Sequence, residues 1–486
     1  MRNEAHRNPI LALLAAALAA FATASATAQE NAPSSRVAGV WQGTLEAPAA
    51  RLRLVVKLRE EGGGLTGTLD SIDQGARDLQ LEAVRYEGGR VTFELRAVGG
   101  RYEGQLAESG DEITGTWSQG GSLPLVLKRD ANVPVVKRPQ EPTRPLPYRE
   151  EEVAYDSEPG VRLAATLTLP AGVGPFPAVV LITGSGPQDR DESLAGHRPF
   201  YVLADALTRR GIAVLRADDR GVGRSTGNFL GVQSSEAFAT DALAGVRFLA
   251  ARADIRRDAI GLLGHSEGGL VAPLAAARDA PEARELAFLV LLAGPGVPLG
   301  EILVEQSRLI QSASGAPSSM IDANTAILRR LIEIAKSEGD VERAAAAMRQ
   351  ELTAYVPTLP EAARAPVTAQ IDQQVRQMNS PWMRWMLAYD PLPAVRRLEI
   401  PVLALFGERD LQVPPAQNKT PLESAVRAAG QPASKVVVLP GLNHLLQAAP
   451  TGSPAEYSVI EETMNAAALD LIGDWLVEQA SVRRSP

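Results

Sequence analysis

Residues 260–277 constrain the fold of this 486-residue chain more than any other stretch. The run at 260–263 is short and apolar, which is typical of a parallel strand that is buried on both faces. The motif G-H-S-E-G follows at 264–268, and small apolar residues at 269–277 predict a helix, so the stretch matches the strand–turn–helix pattern G-x-S-x-G. Its glycines allow a strained serine and a close approach of strand and helix. The pattern favours a nucleophilic Ser266, at a helix N-terminus that stabilises negative charge, over a glycine-rich turn with a capping serine.

The region from about residue 149 to the C-terminus alternates between strand and helix patterns. The predicted strands lie at 161–169, 178–182, 212–215, 260–263, 286–292, 401–406 and 436–439. We expect the first of them to be an edge strand. Helical patterns at 203–210 and 237–250 lie between strands. This alternation predicts an α/β fold with a mostly parallel sheet and helices on both faces.

The alternation stops between the predicted strand that ends at 292 and the next one, which begins at 401. Residues 297–395 carry helical periods, which predict an inserted helical cap. Aromatic and methionine residues concentrate in the cap at 382–386, where Trp382 and Trp385 are candidates for lining an apolar substrate pocket. The alternative is that these two side chains form the core of the cap.

A signal peptide is predicted at residues 1–28. Two arginines precede an apolar core at 10–22, and A-T-A at 26–28 is a cleavage site. The alternative is an uncleaved anchor. Because the chain has no cysteine, we expect neither disulfides, nor thiol catalysis, nor a lipid-modified N-terminal cysteine. We therefore expect a periplasmic or secreted protein with no membrane span in the mature chain.

Residues 29–130 are predicted to form a small all-β domain. Short alternating runs separated by glycine-rich turns are typical of a sandwich or barrel. The domain has no histidine, so we expect no catalytic site in it. It is either a module that binds a partner or polymer, or a packing domain. Residues 131–148 contain five prolines and are predicted to be an extended linker to the domain at 149–486.

A serine nucleophile needs a histidine base, and the precursor has four histidines. The first lies in the signal peptide. His265 is beside Ser266 on the strained turn, and we expect it to pack elsewhere. Where a serine follows a strand in this way, the base follows both nucleophile and acid in the chain, which favours His444 over His197.

The acid is expected in the loop after the strand at 401–406. Asp410 fits this position best, and Glu408 is the alternative, although it lies close to the strand end. Chain order argues against Asp218 and Asp219. Together with nearby arginines, these two carboxylates are expected to hold loops together through charge-assisted hydrogen bonds.

An oxyanion hole needs two backbone N–H donors. Glu267, which follows the nucleophile, is expected to supply one. Ser185, in the glycine-rich loop after the strand at 178–182, is expected to supply the other, with Gly186 as the alternative. The D-R-D sequence at 189–191 either forms a structural network or contacts polar groups of the substrate.

These residues belong to five motifs: G-H-S-E-G-G at 264–269, D-D-R-G-V-G-R-S at 218–225, G-S-G-P-Q-D-R-D at 184–191, D-L-Q-V-P at 410–414 and N-H at 443–444. With them the sequence resembles the secreted α/β-hydrolase family of EstD-type bacterial carboxylesterases and serine aminopeptidase-like proteins. The resemblance implies an α/β-hydrolase fold from about residue 150, with Ser266 as nucleophile, Asp410 as acid and His444 as base. A β domain in front is typical of such relatives. Thr183 departs from the family, because many relatives have histidine there.

The sequence therefore predicts an exported serine hydrolase that cleaves short- to medium-chain carboxylic esters. One alternative is an exopeptidase or amidase with the same triad, which would need a clamp for the free amine of the substrate. Another is an envelope or polysaccharide binding protein that uses its β domain, and a third is a purely structural exported protein. The net charge of −8 argues against nucleic acid as a partner. No metal and no organic cofactor is expected, and the sequence makes no prediction of oligomeric state.

Overall fold

Two β-sheets organise the part of the chain that the computed structural model describes, which is residues 36–481 without 48–49, 63, 73–75, 120, 131 and 133–136. The predicted signal peptide at 1–28 lies outside the described residues. Among the helices that are described, none is long and apolar enough to cross a membrane.

The first sheet is antiparallel and forms a separate N-terminal domain. Its strands are β1 (Gly39–Ala47), β2 (Ala50–Glu61), β3 (Gly64–Ser71), β4 (Ala76–Gln80), β5 (Glu82–Glu87), β6 (Arg90–Leu95), β7 (Gly100–Leu106), β8 (Glu112–Ser118) and β9 (Ser122–Arg129). Their order is β4-β3-β2-β1-β9-β8-β7-β6-β5. The sheet curls like a barrel, so that Leu81 N–H, just before β5, donates to the Gly67 carbonyl of β3 at 2.9 Å. The predicted N-terminal β domain is confirmed as a large barrel-like sheet.

Aromatic side chains fill the inside of this sheet. Trp41, Phe93 and Tyr102 are almost fully buried, and the rings of Phe93 and Tyr102 stack at 4.9 Å. The Tyr102 hydroxyl donates to the carbonyls of Ile113 and Leu125 at 3.1 and 3.2 Å. Alternation along the strands produces this interior, because every second residue faces it.

The second sheet belongs to the α/β domain. Its strands are β10 (Arg149–Glu158), β11 (Val161–Leu169), β12 (Phe176–Ile182), β13 (Ala213–Ala217), β14 (Ile255–His265), β15 (Leu286–Leu292), β16 (Val402–Gly407) and β17 (Lys435–Leu439). Their order is β10-β11-β13-β12-β14-β15-β16-β17. The pairs from β13 to β17 are parallel, whereas β11 pairs antiparallel with both neighbours. The sheet is therefore mixed.

The prediction that the strand at 161–169 lies at the edge was wrong. That strand is β11, and β10 pairs along its outer side from Arg149 to Glu158. Strand β10 was not predicted, because it begins with the charged residues R-E-E-E at 149–152. Such residues suit an exposed edge but give no apolar alternation.

The helices are α1 (Pro199–Arg209), α2 (Glu236–Ala250), α3 (Gly268–Ala276), α4 (Pro281–Arg284), α5 (Leu299–Ala313), α6 (Ser318–Ser337), α7 (Val341–Tyr355), α8 (Glu361–Met378), α9 (Pro381–Ala388), α10 (Leu392–Arg396), α11 (Pro415–Ala428) and α12 (Ala466–Ser481). Helices α1 and α12 pack with Val179, Leu181 and Leu263 on one face of the second sheet. Helices α2, α3 and α11 pack with Val180 and Leu262 on the other. Neighbouring residues of β12 and β14 thus point to opposite faces.

Helices α5 to α10 follow one another between β15 and β16, in the region of the predicted cap. Helices α5 to α9 share a core of their own, in which Leu331, Met348, Leu352 and Leu387 are buried. Helix α10 packs instead against the core of the α/β domain through Val395. Helix α9 also contacts the core of the α/β domain through Met386. That these helices form a cap over the site stays a prediction.

The described end of the linker is fastened to the α/β domain. The Arg138 guanidinium donates to the carbonyls of Ile460 and Ser458 at 2.7 and 3.1 Å. The Gln140 side chain bonds to the backbone of Met464 and Thr463. Part of the segment predicted as a spacer is therefore held against the α/β domain.

Candidate active site

The turn around Ser266 has the strained geometry that its sequence predicts. Strand β14 ends at His265, helix α3 begins at Gly268, and Ser266 between them has a φ of 54°. A Cβ atom at Gly264 would lie 1.9 Å from the Gly268 carbonyl oxygen, and one at Gly268 would lie 2.2 Å from the Ile182 carbonyl oxygen. Only glycine allows this close crossing of strand and helix. The predicted elbow is confirmed, and Ser266 is half-buried at its tip.

Asp410 and His444 are joined in the structure. Asp410 follows β16, and its Oδ2 atom lies 2.8 Å from Nδ1 of His444. Its Oδ1 atom accepts from the N–H groups of Gln412 and Val413 at 2.8 and 2.9 Å. Because an ionised carboxylate only accepts, Nδ1 of His444 carries the proton and Nε2 is left as an acceptor. The alternative acid, Glu408, instead accepts from the Gly441 N–H at 2.8 Å.

Ser266 and His444 are close in the fold but are not hydrogen-bonded to each other. No bond between their side chains is present among the contacts of the described residues. The His444 ring lies against the ring of His265, the residue before Ser266, with centroids 4.8 Å apart. Catalytic hydrogen bonds are often loose without substrate, so the triad of Ser266, Asp410 and His444 stays a prediction.

His197 has a structural environment. It is fully buried, and its ring nitrogens lie 2.7 Å from the Tyr457 carbonyl oxygen and 3.0 Å from the Thr463 hydroxyl. Burial lowers its pKa to about 4. Both ring nitrogens are thus occupied in the interior, and the structure gives no support to His197 as the base.

The glycine-rich loop after β12 lies against the nucleophile. A Cβ atom at Gly184 would lie 3.3 Å from the Cβ of Ser266. Within the described residues, the N–H groups of Ser185 and Glu267 donate to no protein acceptor, as an oxyanion hole requires. Thr183, the departure from the family pattern, supports the loop through its hydroxyl, which donates to Asp219 at 2.8 Å. That Ser185 and Glu267 bind an oxyanion stays a prediction.

The Glu267 side chain connects the elbow to helix α9. It is buried, and its Oε1 atom accepts from the Ser235 hydroxyl at 2.6 Å and from the Trp382 indole N–H at 3.0 Å. Burial raises the pKa of the Glu267 carboxyl, although hydrogen bonds from Ser235, Trp382 and Ser185 oppose the shift. Trp382 therefore has a structural contact that the sequence did not reveal.

The two tryptophans proposed to line a substrate pocket are partly buried. Both rings pack against the core of the α/β domain. The ring of Trp385 also stacks on Tyr389, with centroids 4.7 Å apart and planes inclined by 16°. Contact of Trp382 and Trp385 with substrate stays a prediction.

The acidic turn after β13 is structural, as predicted. The Arg190 side chain donates twice to Asp218, from Nε at 2.9 Å and from Nη2 at 2.8 Å. The Arg220 side chain donates twice to Asp241, both at 2.8 Å. These bidentate pairs hold the loops at the carboxyl ends of the strands.

The sequence interpretation missed Glu192 and the polar role of His265. Glu192 is buried and has a φ of 53°. Its Oε1 atom accepts from Gly184 N–H at 2.7 Å and contacts His265 Nδ1 at 2.9 Å. His265 Nε2 lies 3.0 Å from the His444 carbonyl oxygen. The only signal was an acidic residue at the end of the D-R-D-E sequence at 189–192.

Comparisons with known sequences identify relatives of the chain. A family model described as serine aminopeptidase, S33 (Hydrolase_4) matches residues 197–331. Esterase EstD of Thermotoga maritima is 30% identical over 336 residues, which are 69% of this chain and 69% of EstD.

Two solved esterase structures are also similar. Est1E from Butyrivibrio proteoclasticus, with ferulic acid bound, is 18% identical with a TM-score of 0.41, covering 68% of this chain and 100% of that one. The Pyrococcus furiosus esterase Pf2001 is 16% identical with a TM-score of 0.41, covering 68% of this chain and 92% of that one.

Proposed function

Because the chain belongs to the α/β-hydrolase family that includes Esterase EstD, and is a serine hydrolase of the esterase type, we propose that it cleaves short- to medium-chain carboxylic esters through an acyl-enzyme on Ser266. The observation that carries this proposal is the 2.8 Å hydrogen bond between Asp410 and His444. Their loops follow β16 and β17, two parallel strands on the same side of the elbow strand β14. The carboxyl ends of parallel strands meet at one edge of a sheet, where ligands bind.

In the proposed reaction, His444 Nε2 takes the proton of Ser266 as the serine oxygen attacks the ester carbonyl. Asp410 holds the imidazole in the required tautomer and stabilises its charged form. The N–H groups of Glu267 and Ser185 stabilise the oxyanion of the tetrahedral intermediate. His444 then protonates the leaving alkoxide, and water releases the acyl group by the reverse route.

In the proposal, the helices between β15 and β16 bound the substrate pocket and limit its size. We assign to them the role of a cap at about 297–395, with Trp382 and Trp385 facing the acyl or alcohol group. The partial burial of both rings next to the Glu267 contact supports this assignment. Such a pocket suits short to medium chains.

The proposal includes export to the periplasm or beyond. It rests on the signal-peptide pattern at 1–28 and on the lack of cysteine in the chain.

An exopeptidase or amidase with the same residues is the second candidate, and the description of the matching family model favours it. That activity would need an anionic or carbonyl-rich clamp to bind the free amine of the substrate. The carboxylate next to Ser266 in sequence, Glu267, already accepts from Ser235 and Trp382. Because Glu267 already accepts these hydrogen bonds, an ester is favoured as the substrate.

The test is hydrolysis of p-nitrophenyl acetate, butyrate and octanoate by residues 29–486, compared with Ser266→Ala. We expect kcat to fall by about 10⁵-fold in the variant, because the nucleophile is lost. Ser193→Ala is the matched control, since Ser193 is exposed in the loop after β12, and it should keep full activity. Dipeptide amides in the same assay distinguish the second candidate. Activity that survives in Ser266→Ala, or wild-type turnover of amides alone, would contradict the proposal.

A further inference from the structure

A chain of three hydrogen bonds runs from the loop after β12 to the backbone of His444. Its first bond joins Gly184 N–H to Glu192 Oε1 at 2.7 Å, and its second joins Glu192 Oε1 to His265 Nδ1 at 2.9 Å. Its third joins His265 Nε2 to the carbonyl oxygen of His444 at 3.0 Å. We call Glu192 and His265 the Glu192–His265 bridge. The bridge passes through the residue that immediately precedes Ser266.

The protons of the bridge follow from its partners. The His444 carbonyl oxygen can only accept, so Nε2 of His265 carries a proton. Glu192 Oε1 accepts from Gly184 N–H, and an ionised Glu192 can accept from Nδ1 of His265 at the same oxygen atom. In that state His265 is an imidazolium paired with a carboxylate. Burial alone would lower the pKa of His265, but the charge and hydrogen bond of Glu192, with a smaller contribution from Asp410, raise it.

Stability alone is a weak reason for such a pair. The side chains of His265 and Glu192 are 8% and 5% exposed, and buried ion pairs are often no more stabilising than apolar residues of the same volume. Glu192 also has a left-handed backbone conformation, with a φ of 53°. Non-glycine residues adopt this conformation rarely, and those that do cluster at functional sites.

We propose that Glu192 and His265 are positioning residues, which fix the oxyanion loop and the loop of the base His444 relative to each other around Ser266. The inference rests on the proposed function, because it assigns those two loops to the oxyanion hole and the base. Both loops must keep their places when the serine attacks, since small displacements of catalytic groups slow a reaction strongly.

Glu192→Gln breaks the bridge with little change of volume. In one orientation, the glutamine oxygen accepts from Gly184 N–H and from Nδ1–H of a neutral His265. Nε2 of His265 then carries no proton and cannot donate to the His444 carbonyl. A glutamine that donates its NH₂ group to Nδ1 leaves Gly184 N–H without its acceptor. Either way, one of the two loops loses its hydrogen bond to the bridge.

The experiment measures kcat and KM for p-nitrophenyl butyrate, the melting temperature, and the ¹⁵N spectrum of labelled histidines, of which the chain has four. We expect Glu192→Gln to lower kcat by about 10- to 100-fold with KM nearly unchanged, and Glu192→Asp to restore part of the loss by keeping the charge. Glu462→Gln is the matched control, because Glu462 also binds the backbone of the His444 loop, at Ala448, but takes no part in the bridge. It should leave kcat within about 2- to 3-fold of wild type.

The spectrum should show one histidine with both ring nitrogens protonated at neutral pH in wild type, and none in Glu192→Gln. A lower melting temperature with unchanged kcat would overturn the proposal, because the bridge would then serve stability alone. A wild-type spectrum without a doubly protonated histidine would overturn it as well. Wild-type inactivity on every ester would instead contradict the proposed function, and the spectrum would still decide whether the bridge exists.

Discussion

Within the described residues, the two sheets of this protein differ in how many charged side chains they bury. The N-terminal sheet encloses aromatic residues such as Trp41, Phe93 and Tyr102. The α/β domain buries charged groups at the carboxyl ends of its strands, among them Glu192 and Asp410. Apolar burial stabilises a fold, whereas buried charge is costly unless it is paired and hydrogen-bonded. This difference locates the chemistry, because within the described residues it is the α/β domain that gathers buried polar groups around one serine.

Replacement of the acid Asp410 should slow turnover strongly. Asp410→Asn should lower kcat by about 10⁴-fold, because an amide no longer holds His444 in the tautomer with a proton on Nδ1. Glu408→Gln is the control, and it should change kcat little. Measurement of kcat on p-nitrophenyl butyrate checks both variants, and a loss confined to Glu408→Gln would reverse the assignment of the acid.

A large change in the first sheet should leave turnover intact. Phe93→Ala removes a buried ring that stacks on Tyr102, and it should lower the free energy of unfolding of the β domain by about 3–5 kcal/mol. Chemical denaturation measures the loss, and kcat measured well below the unfolding transition should equal that of wild type. A fall in kcat under those conditions would contradict this expectation, since it would give the β domain a part in catalysis.

The pH dependence of stability should show that His197 is structural. Its pKa of about 4 in the folded state lies below the ordinary value of 6.5, so the unfolded chain binds more protons between these values. The contribution of His197 is therefore fully present above pH 6.5 and is lost as the pH falls toward 4, by up to about 3 kcal/mol. Asp219 acts in the opposite direction, because burial raises its pKa.

The contribution of His197 is obtained as a difference. Unfolding free energies of wild type and His197→Gln are measured at several pH values. The difference in unfolding free energy between the two proteins should become smaller as the pH is lowered. A gap that stays constant with pH would show that His197 titrates normally in the folded state.

The smallest expected effect concerns the contact between the elbow and α9. Trp382→Phe removes the indole N–H that donates to Glu267, and it should lower the stability by about 1 kcal/mol. Trp385→Phe is the matched control, because a phenylalanine can keep the stacking on Tyr389. Thermal unfolding of both variants checks the difference, and equal losses would argue against a role of the Glu267 contact.

Much of the fold follows from local pattern, whereas part of the site does not. Apolar runs and the spacing of glycines around Ser266 predict the strands and the elbow, because each depends on neighbouring residues in the chain. Strand β10 was missed, since its first half is charged and shows no apolar alternation. Chain order indicated Asp410 and His444, whose hydrogen bond the structure contains.

The Glu192–His265 bridge was not predictable in the same way. The two residues are 73 positions apart, and nothing near either of them in sequence indicates the other. His265 was assigned to packing because a residue on a strained turn was expected to point away from the site. Its contacts with Glu192 and the His444 carbonyl depend on the fold, which brings the loops after β12 and β17 together at the end of β14.

The proposed acyl-enzyme on Ser266 can be detected directly. The protein is mixed with p-nitrophenyl butyrate, quenched in acid within the first turnovers, digested and analysed by mass spectrometry, beside Ser266→Ala. We predict a butyryl group on the peptide that contains Ser266 and none on the variant. Rapid turnover with the acyl group on another residue, or an equal amount of adduct on Ser266→Ala, would contradict the account.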